Sequence, residues 1–294
     1  MVHSNAFASI IRNAKLEINN YNFIDRDVRN SHYNRVLDSY SISYMRSGSS
    51  RLNIYGAEYI ASAGDVLIIP PHVLHDHIMC WEVSPSFMWW NFTYKLYGMI
   101  DILCMLKLPI IFRIADNDTF ENALQSYLNC LEMQNKFSDY IYTEAKALEL
   151  LAIFLDMASI IEEDELFQAF PNTFVSILAD IIHHPEQQNL LPVLAMKYRM
   201  HPTYISNQFK KLYRVTPTQF HRRVRLQKAK DLLIGDRNLT ISEISNILGY
   251  EYPADFTRFF KTQCNMTPQQ YRNIKHSVVR VTTETIMRGR DSLQ

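Results

Sequence analysis

The chain has 294 residues, 47% of them hydrophobic and 20% charged, with 30 Lys+Arg balancing 30 Asp+Glu; this suits a globular chain of about two domains and excludes a disordered, collagenous or low-complexity one. No apolar run approaches the roughly 18 to 20 residues that span a bilayer, and Met1-Val-His-Ser-Asn-Ala-Phe7 lacks the basic flank and apolar block of a secretory signal. The zero net charge hides an asymmetry: residues 1–171 hold 12 basic against 21 acidic side chains, net −9, and residues 172–294 hold 18 against 9, net +9, the layout expected when only one half meets a polyanion.

The first hundred residues read as strands and turns. Ser41-Ile-Ser-Tyr-Met45, Arg51-Leu-Asn-Ile-Tyr55 and Asp65-Val-Leu-Ile-Ile69 are separated by Ser47-Gly-Ser-Ser50, Gly56, Ala63-Gly-Asp65 and Pro70-Pro71. Cys80, Cys104, Cys130 and Cys264 are scattered without a CxxC pair, as in a cytoplasmic protein with reduced thiols.

From Thr119, which can cap, the period becomes helical, with Phe120, Ala123, Leu124, Tyr127, Leu128 and Leu131 three or four residues apart. A second helix is expected over Tyr142 to Ile161. Its apolar residues, among them Ala145, Leu148, Leu151, Ala152, Leu155, Ala158 and Ile161, cover more than one face; either it is enclosed within its domain or it offers a surface to a second copy of the chain. Glu162-Glu-Asp-Glu165 ends it, residues 166–171 form a linker, and Asn172 or Thr173 caps a helix that stops before His183-His-Pro185. From Ser277 no period is evident.

The last third contains one segment twice. Pro202/Pro253, Ile205/Phe256, Phe209/Phe260, Lys210/Lys261, Pro217/Pro268 and Phe220/Tyr271 pair at an offset of 51. Two copies are too few for a solenoid, whereas two helix-turn-helix units can read two successive turns of one DNA face. In the first, Leu191, Leu194, Ala195 and Tyr198 face inward. The reading helix starts near Pro202, a favourable first helical residue, and buries Ile205, Phe209 and Leu212. Thr203, Tyr204, Ser206, Asn207, Lys210 and Lys211 then point outward. In the second, Ile241, Ile244, Ile247 and Leu248 pack inside and Gly249 supplies the left-handed turn. Phe256, Phe259 and Phe260 are core there, leaving Ala254, Asp255, Thr257, Arg258, Lys261 and Thr262 outward. Asn, Arg and Lys on such a face can bond base edges, and Ser, Thr and Lys can hold phosphates. Arg199 fills the turn position corresponding to Gly249, at a cost of about 1 kcal/mol if left-handed. Between the units Thr216 caps and Pro217 starts a long helix to Ile234, ended by Gly235; its Arg222, Arg223, Arg225, Lys228 and Lys230 either meet phosphate or form the solvated face of a spacer.

Residues Leu191 to Arg272 resemble the DNA-binding domain of the AraC-type (AraC/XylS) transcription regulators. The likeness is carried by Lys228-Ala-Lys-Asp-Leu-Leu233, Ile241-Ser-Glu-Ile244, Leu248-Gly-Tyr250, Asp255-Phe-Thr-Arg-Phe-Phe-Lys261 and Met266-Thr-Pro-Gln-Gln-Tyr-Arg272. Ser245 stands where that family usually has alanine, and Arg199 where glycine is common.

Upstream, Ala63-Gly-Asp-Val-Leu-Ile-Ile-Pro-Pro71 followed by His75 resembles the second cupin motif, and Tyr40 to Phe92 is similar to the effector barrel of sugar-responsive members of the same family. A small β-barrel can hold one small ligand, and aromatic faces with a few polar groups suit a polyol. By position in that motif, the resemblance implies Tyr44, Arg46, His75, His77 and Trp90 at the pocket. His75-Asp-His77 with Glu82 is locally like the ligand set of metal cupins, but there the triad precedes the glycine–proline segment, and strand neighbours alternate faces. No metal and no cofactor is assigned.

The expected fold class is α+β. A cupin-like β-barrel with a helical pair occupies residues 1–165, and an all-α domain of two helix-turn-helix units occupies residues 172–276. The implied function is a non-enzymatic, dimeric transcription activator. Its partners would be double-stranded DNA, a small carbohydrate effector, a second copy of the chain and RNA polymerase, with no membrane. The competing readings are a metal-cupin enzyme with an accessory DNA-binding domain, and a regulator without an effector.

Overall fold

The computed structural model describes residues 2–24, 31–80, 86–132, 136–159, 172–235 and 238–274. The chain forms two compact units, Ala14–Phe170 and Met1–Asn13 with Pro171–Gln294. The expected domain 1–165 therefore loses its first residues to the other unit. Helix α1 (Val2–Arg12) buries Ala6 and Ile10 and packs on α4 (Asn172–His183). The expected linker 166–171 and the tail from Ser277 lie outside the described residues.

The unit Ala14–Phe170 is built on antiparallel strands: β1 (Ala14–Ile24), β2 (His32–Arg35), β3 (Tyr40–Ser47), β4 (Ser49–Ile54), β5 (Ala57–Ser62), β6 (Asp65–Ile69), β7 (His75–Cys80), β8 (Ser86–Leu96), β9 (Ile100–Asp101) and β10 (Ile111–Arg113). One sheet runs β1-β8-β3-β6-β10, with β9 also on β8, and the other runs β2-β7-β4-β5. Between them lies a core of Met45, Leu52, Ile54, Ala61, Leu67, Ile69, Met79 and Phe87. The outer face of the larger sheet is covered by α2 (Asn117–Glu132) and α3 (Phe137–Ser159). Tyr44 and Trp90 meet Phe120 there, and Phe112 meets Phe154. Both faces of β3 are covered, so Tyr40 to Met45 are all buried, Ser41 and Ser43 included.

Helix α2 is capped by Asp116, whose carboxylate accepts from the Thr119 N–H at 3.0 Å and from its hydroxyl. Thr119 is thus the capped residue rather than the cap. Helix α3 begins at Phe137, ahead of the expected Tyr142. Ala147, Leu150, Leu151, Phe154, Met157 and Ala158 are buried, while Ile141 is 58% and Leu148 45% exposed. One apolar face is enclosed and another is open.

The other unit continues with α5 (Leu190–Tyr198), α6 (Pro202–Tyr213), α7 (Pro217–Gly235), α8 (Ile241–Ile247), α9 (Pro253–Cys264) and a helical run over residues 268–274. Three helices start with a reciprocal Thr-x-x-Glu/Gln box, at Thr216–Gln219, Thr240–Glu243 and Thr267–Gln270. The first and third are copies in the duplication. Phe209 meets Tyr213 edge-to-face and Phe220 at a tilt in the first unit, and Phe256 and Phe260 anchor the second with Leu226, Ala229, Leu233, Ile244 and Leu248. Ile247, expected inside, is 44% exposed; α8 is only seven residues long, and its inward face is filled by Ile244, Ser245 and Leu248. No helix among the described residues is long and apolar enough to cross a membrane.

Candidate nucleic-acid interface and effector cavity

Both reading helices begin at a proline, as the duplication requires. The His201 side chain accepts from the Thr203 N–H at 3.3 Å, and α6 and α9 end on left-handed residues fifty-one apart, Arg214 (φ 63°) and Asn265 (φ 56°). With Ile205, Phe209, Phe256 and Phe260 buried, Thr203, Tyr204, Asn207, Lys210 and Lys211 are exposed on α6, and Ala254, Asp255, Arg258, Lys261 and Thr262 on α9. Ser206 and Thr257 are half-buried.

Some of these groups have internal partners. The Thr257 and Thr262 hydroxyls donate to the carbonyls of Pro253 (3.0 Å) and Arg258 (2.8 Å), so towards a ligand they offer lone pairs. Arg258 Nη1 lies 3.6 Å from Asp255 Oδ1 at the surface, a weak pairing that an incoming base or phosphate can displace. Tyr204 leans on Phe174, ring centres 6.3 Å apart.

The turns differ by one residue. Met200 N–H donates to Ala195 O and Tyr250 N–H to Ser245 O, both at 3.0 Å, so the supporting helices correspond at an offset of 50 and the reading helices at 51. The two left-handed turn residues are Arg199 (φ 53°) and Gly249 (φ 74°). A Cβ on Gly249 would lie 2.1 Å from the Glu186 carbonyl oxygen, so glycine is required there for space as well as conformation. Arg225 of α7 is not a phosphate arm; its guanidinium stacks on Tyr250 and donates to the Leu248 carbonyl. His221 Nε2 lies 3.3 Å from His184 O. Arg222 and Arg223 stay exposed.

In the other unit, Asn22, His32, Arg35, Ser41, Ser43, Ile69, His75, His77, Met79, Phe87 and Trp89 line a cavity of about 160 Å³ between the sheets. His75 Nδ1 lies 2.9 Å from Val73 O, and His77 Nε2 3.2 Å from the Ser50 hydroxyl. Burial drives the His77 pKa down to about 4, aided by His32, His75 and Arg35, so this imidazole is neutral at pH 7.

Of the five expected pocket residues, His75 and His77 line the cavity; Tyr44, Arg46 and Trp90 do not. Strand alternation decides this. Ser43 pairs with Trp89 facing inward, whereas Ile42 pairs with Trp90 and Tyr44 with Met88 facing the helices. Tyr44 Oη donates to Glu121 Oε1 at 3.0 Å, and Arg46 Nε donates to the same oxygen at 3.1 Å while its Nη2 bonds Oε2. The Arg46 hydrogen bond holds the Glu121 carboxyl below its usual range, and burial pushes Tyr44 up to about 12. Sequence reasoning missed Asn22, His32, Arg35, Ser41, Ser43 and Trp89; the available signal was that Ser41 and Ser43 share one face of the same strand.

His75 and His77 point the same way, and Asp76 between them instead accepts from the Asn34 N–H at 2.7 Å. No group of three His, Cys, Asp or Glu among the described residues could hold a metal ion; Glu82 lies outside them. Among the described residues, Cys104, Cys130 and Cys264 form no disulfide and are half-buried.

Residues 194–274 match a helix-turn-helix domain model and residues 23–151 match an AraC-like ligand binding domain model. The uncharacterized HTH-type transcriptional regulator YobQ of Bacillus subtilis is 34% identical over 100 residues, 34% of this chain and 41% of that protein. The chain thus matches well under half of that relative's length. The Msm operon regulatory protein of Streptococcus mutans is 22% identical over 270 residues, 89% of this chain and 94% of the relative. Among solved structures, the C-terminal domain of the two-component response regulator yesN of Fusobacterium nucleatum is 31% identical, with a TM-score of 0.31 over 33% of this chain and 95% of that one.

Proposed function

Because this chain belongs to the AraC-type transcription regulators, joining their ligand-binding domain to their helix-turn-helix domain, we propose that it is a dimeric, carbohydrate-responsive activator that reads two successive major grooves. The observation that carries the reading is the pair of matched outward faces on α6 and α9. Each starts at a proline, ends on a left-handed residue and exposes a lysine at the same repeat position, Lys210 and Lys261. Asn207 and Arg258 read base edges, and Lys210, Lys211 and Lys261 hold phosphates. The unit bearing these helices is the basic part of the chain, as phosphate contact demands.

The effector site is the cavity between the sheets, where Trp89 offers a ring face and Asn22, Ser41 and Ser43 offer hydroxyl partners. A second copy packs along α3, where Ile141, Ala145, Leu148, Ala152 and Leu155 recur at alternating spacings of four and three, the period of a two-helix seam. For the effector to control transcription it must bind one arrangement of the dimer more tightly than another. Activation through RNA polymerase, and a cytoplasmic, non-enzymatic role, accord with the family.

The test is selection of binding sites from random duplexes by the full-length protein, followed by footprinting with and without candidate sugars. Two protected half-sites about one helical turn apart are expected; absence of any preferred sequence would overturn the reading. Sedimentation of Leu148→Glu should show monomer where the parent shows dimer.

A further inference from the structure

The cavity between the sheets is charged in one sense only. Its ionisable lining residues are His32, Arg35, His75 and His77, and none of the described lining residues is Asp or Glu. Asp76, between His75 and His77 in sequence, accepts from the Asn34 N–H instead. In the pairing of β2 with β7, Arg35 stands opposite His75 and His32 opposite His77. Burial, then this crowding, lowers the pKa values of both His32 and His77. Arg35 brings five N–H donors and no acceptor, and a guanidinium fork matches the two oxygens of a carboxylate or phosphate. A neutral polyol would present as many hydroxyl donors as acceptors, and the wall around Arg35 has no carboxylate to receive them.

We infer that the effector is a monosaccharide-sized polyol bearing an anionic oxygen group, carboxylate or phosphate, which Arg35 grips with His32 and His75 while the polyol part lies against Trp89, Ser41 and Ser43. This rests on the reading of the cavity as the effector site and specifies which carbohydrates it admits. A volume of about 160 Å³ lies below the roughly 300 Å³ at which drug-sized sites begin, so oligosaccharides are excluded. An anion there meets the guanidinium charge of Arg35 and ties β2 to β7, so occupancy firms one edge of the smaller sheet.

The experiment is calorimetric titration of the full-length protein at pH 7 and constant ionic strength. The probes are D-gluconate, D-glucuronate, D-galacturonate and D-glucose 6-phosphate, each beside its neutral parent, D-glucose or D-galactose. At least one anionic probe should bind about tenfold or more tightly than its parent, and carboxylate against phosphate ester identifies the source of the charge. Arg35→Gln, on a strand whose residues are mostly exposed, should keep its melting temperature and lose that preference. A neutral parent binding as tightly as its acid overturns the anionic inference and leaves a carbohydrate effector standing. Binding by no probe overturns both. An anionic preference that survives in both Arg35→Gln and His75→Gln shows that the charge is held elsewhere and overturns the assignment.

Discussion

The guanidinium carbon of Arg225, midway along α7, sits 4.0 Å from the ring centre of Tyr250, just past the turn of the second helix-turn-helix unit. The same side chain donates to the carbonyl of Leu248, so one residue of the connecting helix holds the supporting helix of the second unit at both ends of its turn. Gln188 donates to the Gly249 carbonyl from the other side. The long helix therefore helps to hold the turn between α8 and α9.

Arg225→Lys should keep the charge but lose the fork and the flat stacking surface. Hydrogen bonds from charged donors contribute about 1.5 to 3 kcal/mol, and a partly buried cation–π contact about 1 kcal/mol. A loss of about 2 kcal/mol in denaturant unfolding is expected, with weakened binding to two-half-site DNA. Unchanged unfolding and unchanged affinity would show that the stack holds nothing in place.

Gly249→Ala and Arg199→Gly should have opposite signs. The alanine meets both a left-handed backbone, costing about 1 to 2 kcal/mol, and a carbonyl oxygen 2.1 Å from its Cβ, so the second unit should fail to fold stably. At Arg199 the glycine releases the first cost and adds about 0.4 to 1 kcal/mol of unfolded-chain entropy. A net stabilisation of up to about 1 kcal/mol is expected, read from thermal unfolding.

Arg258→Ala and Asn207→Ala should weaken operator binding by about 1 to 3 kcal/mol each while changing non-specific binding little. Lys211→Ala should weaken both in proportion and lower the slope of log affinity against log salt by about 1. Filter binding over a salt series separates the two classes, and equal losses on operator and random DNA for Arg258→Ala would show that it does not read bases.

Trp89→Ala and Trp90→Ala distinguish the two faces of β8. Trp89 lines the cavity, so its loss should abolish effector response with only a modest change in melting temperature. Trp90 is 4% exposed against Phe120, and its truncation should destabilise the unit by about 3 to 5 kcal/mol. If Trp90→Ala melts normally but no longer responds, the effector sits on the helical side of the sheet.

His77 has a folded pKa near 4, below the roughly 6.5 of an unfolded histidine. Under acid the unfolded chain takes up protons the folded one refuses, so this contribution is complete above about pH 6.5 and shrinks as the pH falls towards 4. The full span corresponds to about 3 kcal/mol. His77→Gln should flatten the stability–pH curve in that window, measured by urea unfolding at half-unit steps. A variant with the parent's slope would mean that the acid sensitivity lies in other groups such as His221, whose pKa burial also lowers.

What the amino-acid order alone determined is the part of the protein whose contacts are local. The two helix-turn-helix units, their prolines, their buried phenylalanines and the outward faces of α6 and α9 follow from a 3.6-residue period and from caps within a few positions of the residues they serve. The charge division between the halves is equally plain from counting. What only the tertiary structure decided depends on residues distant in sequence. Tyr44 and Trp90 turn away from the cavity because α2, beginning more than twenty residues after Trp90, covers the outer sheet face; with both faces of β3 and β8 buried, an alternating pattern no longer says which face meets the cavity, and a one-residue shift in register exchanges the two. His32 and Arg35 enter the cavity only through the pairing of β2 with β7, across some forty residues. The assignment of α1 to the DNA-reading unit, too, rests on burial against α4, a partner about 170 residues away that no local pattern could announce.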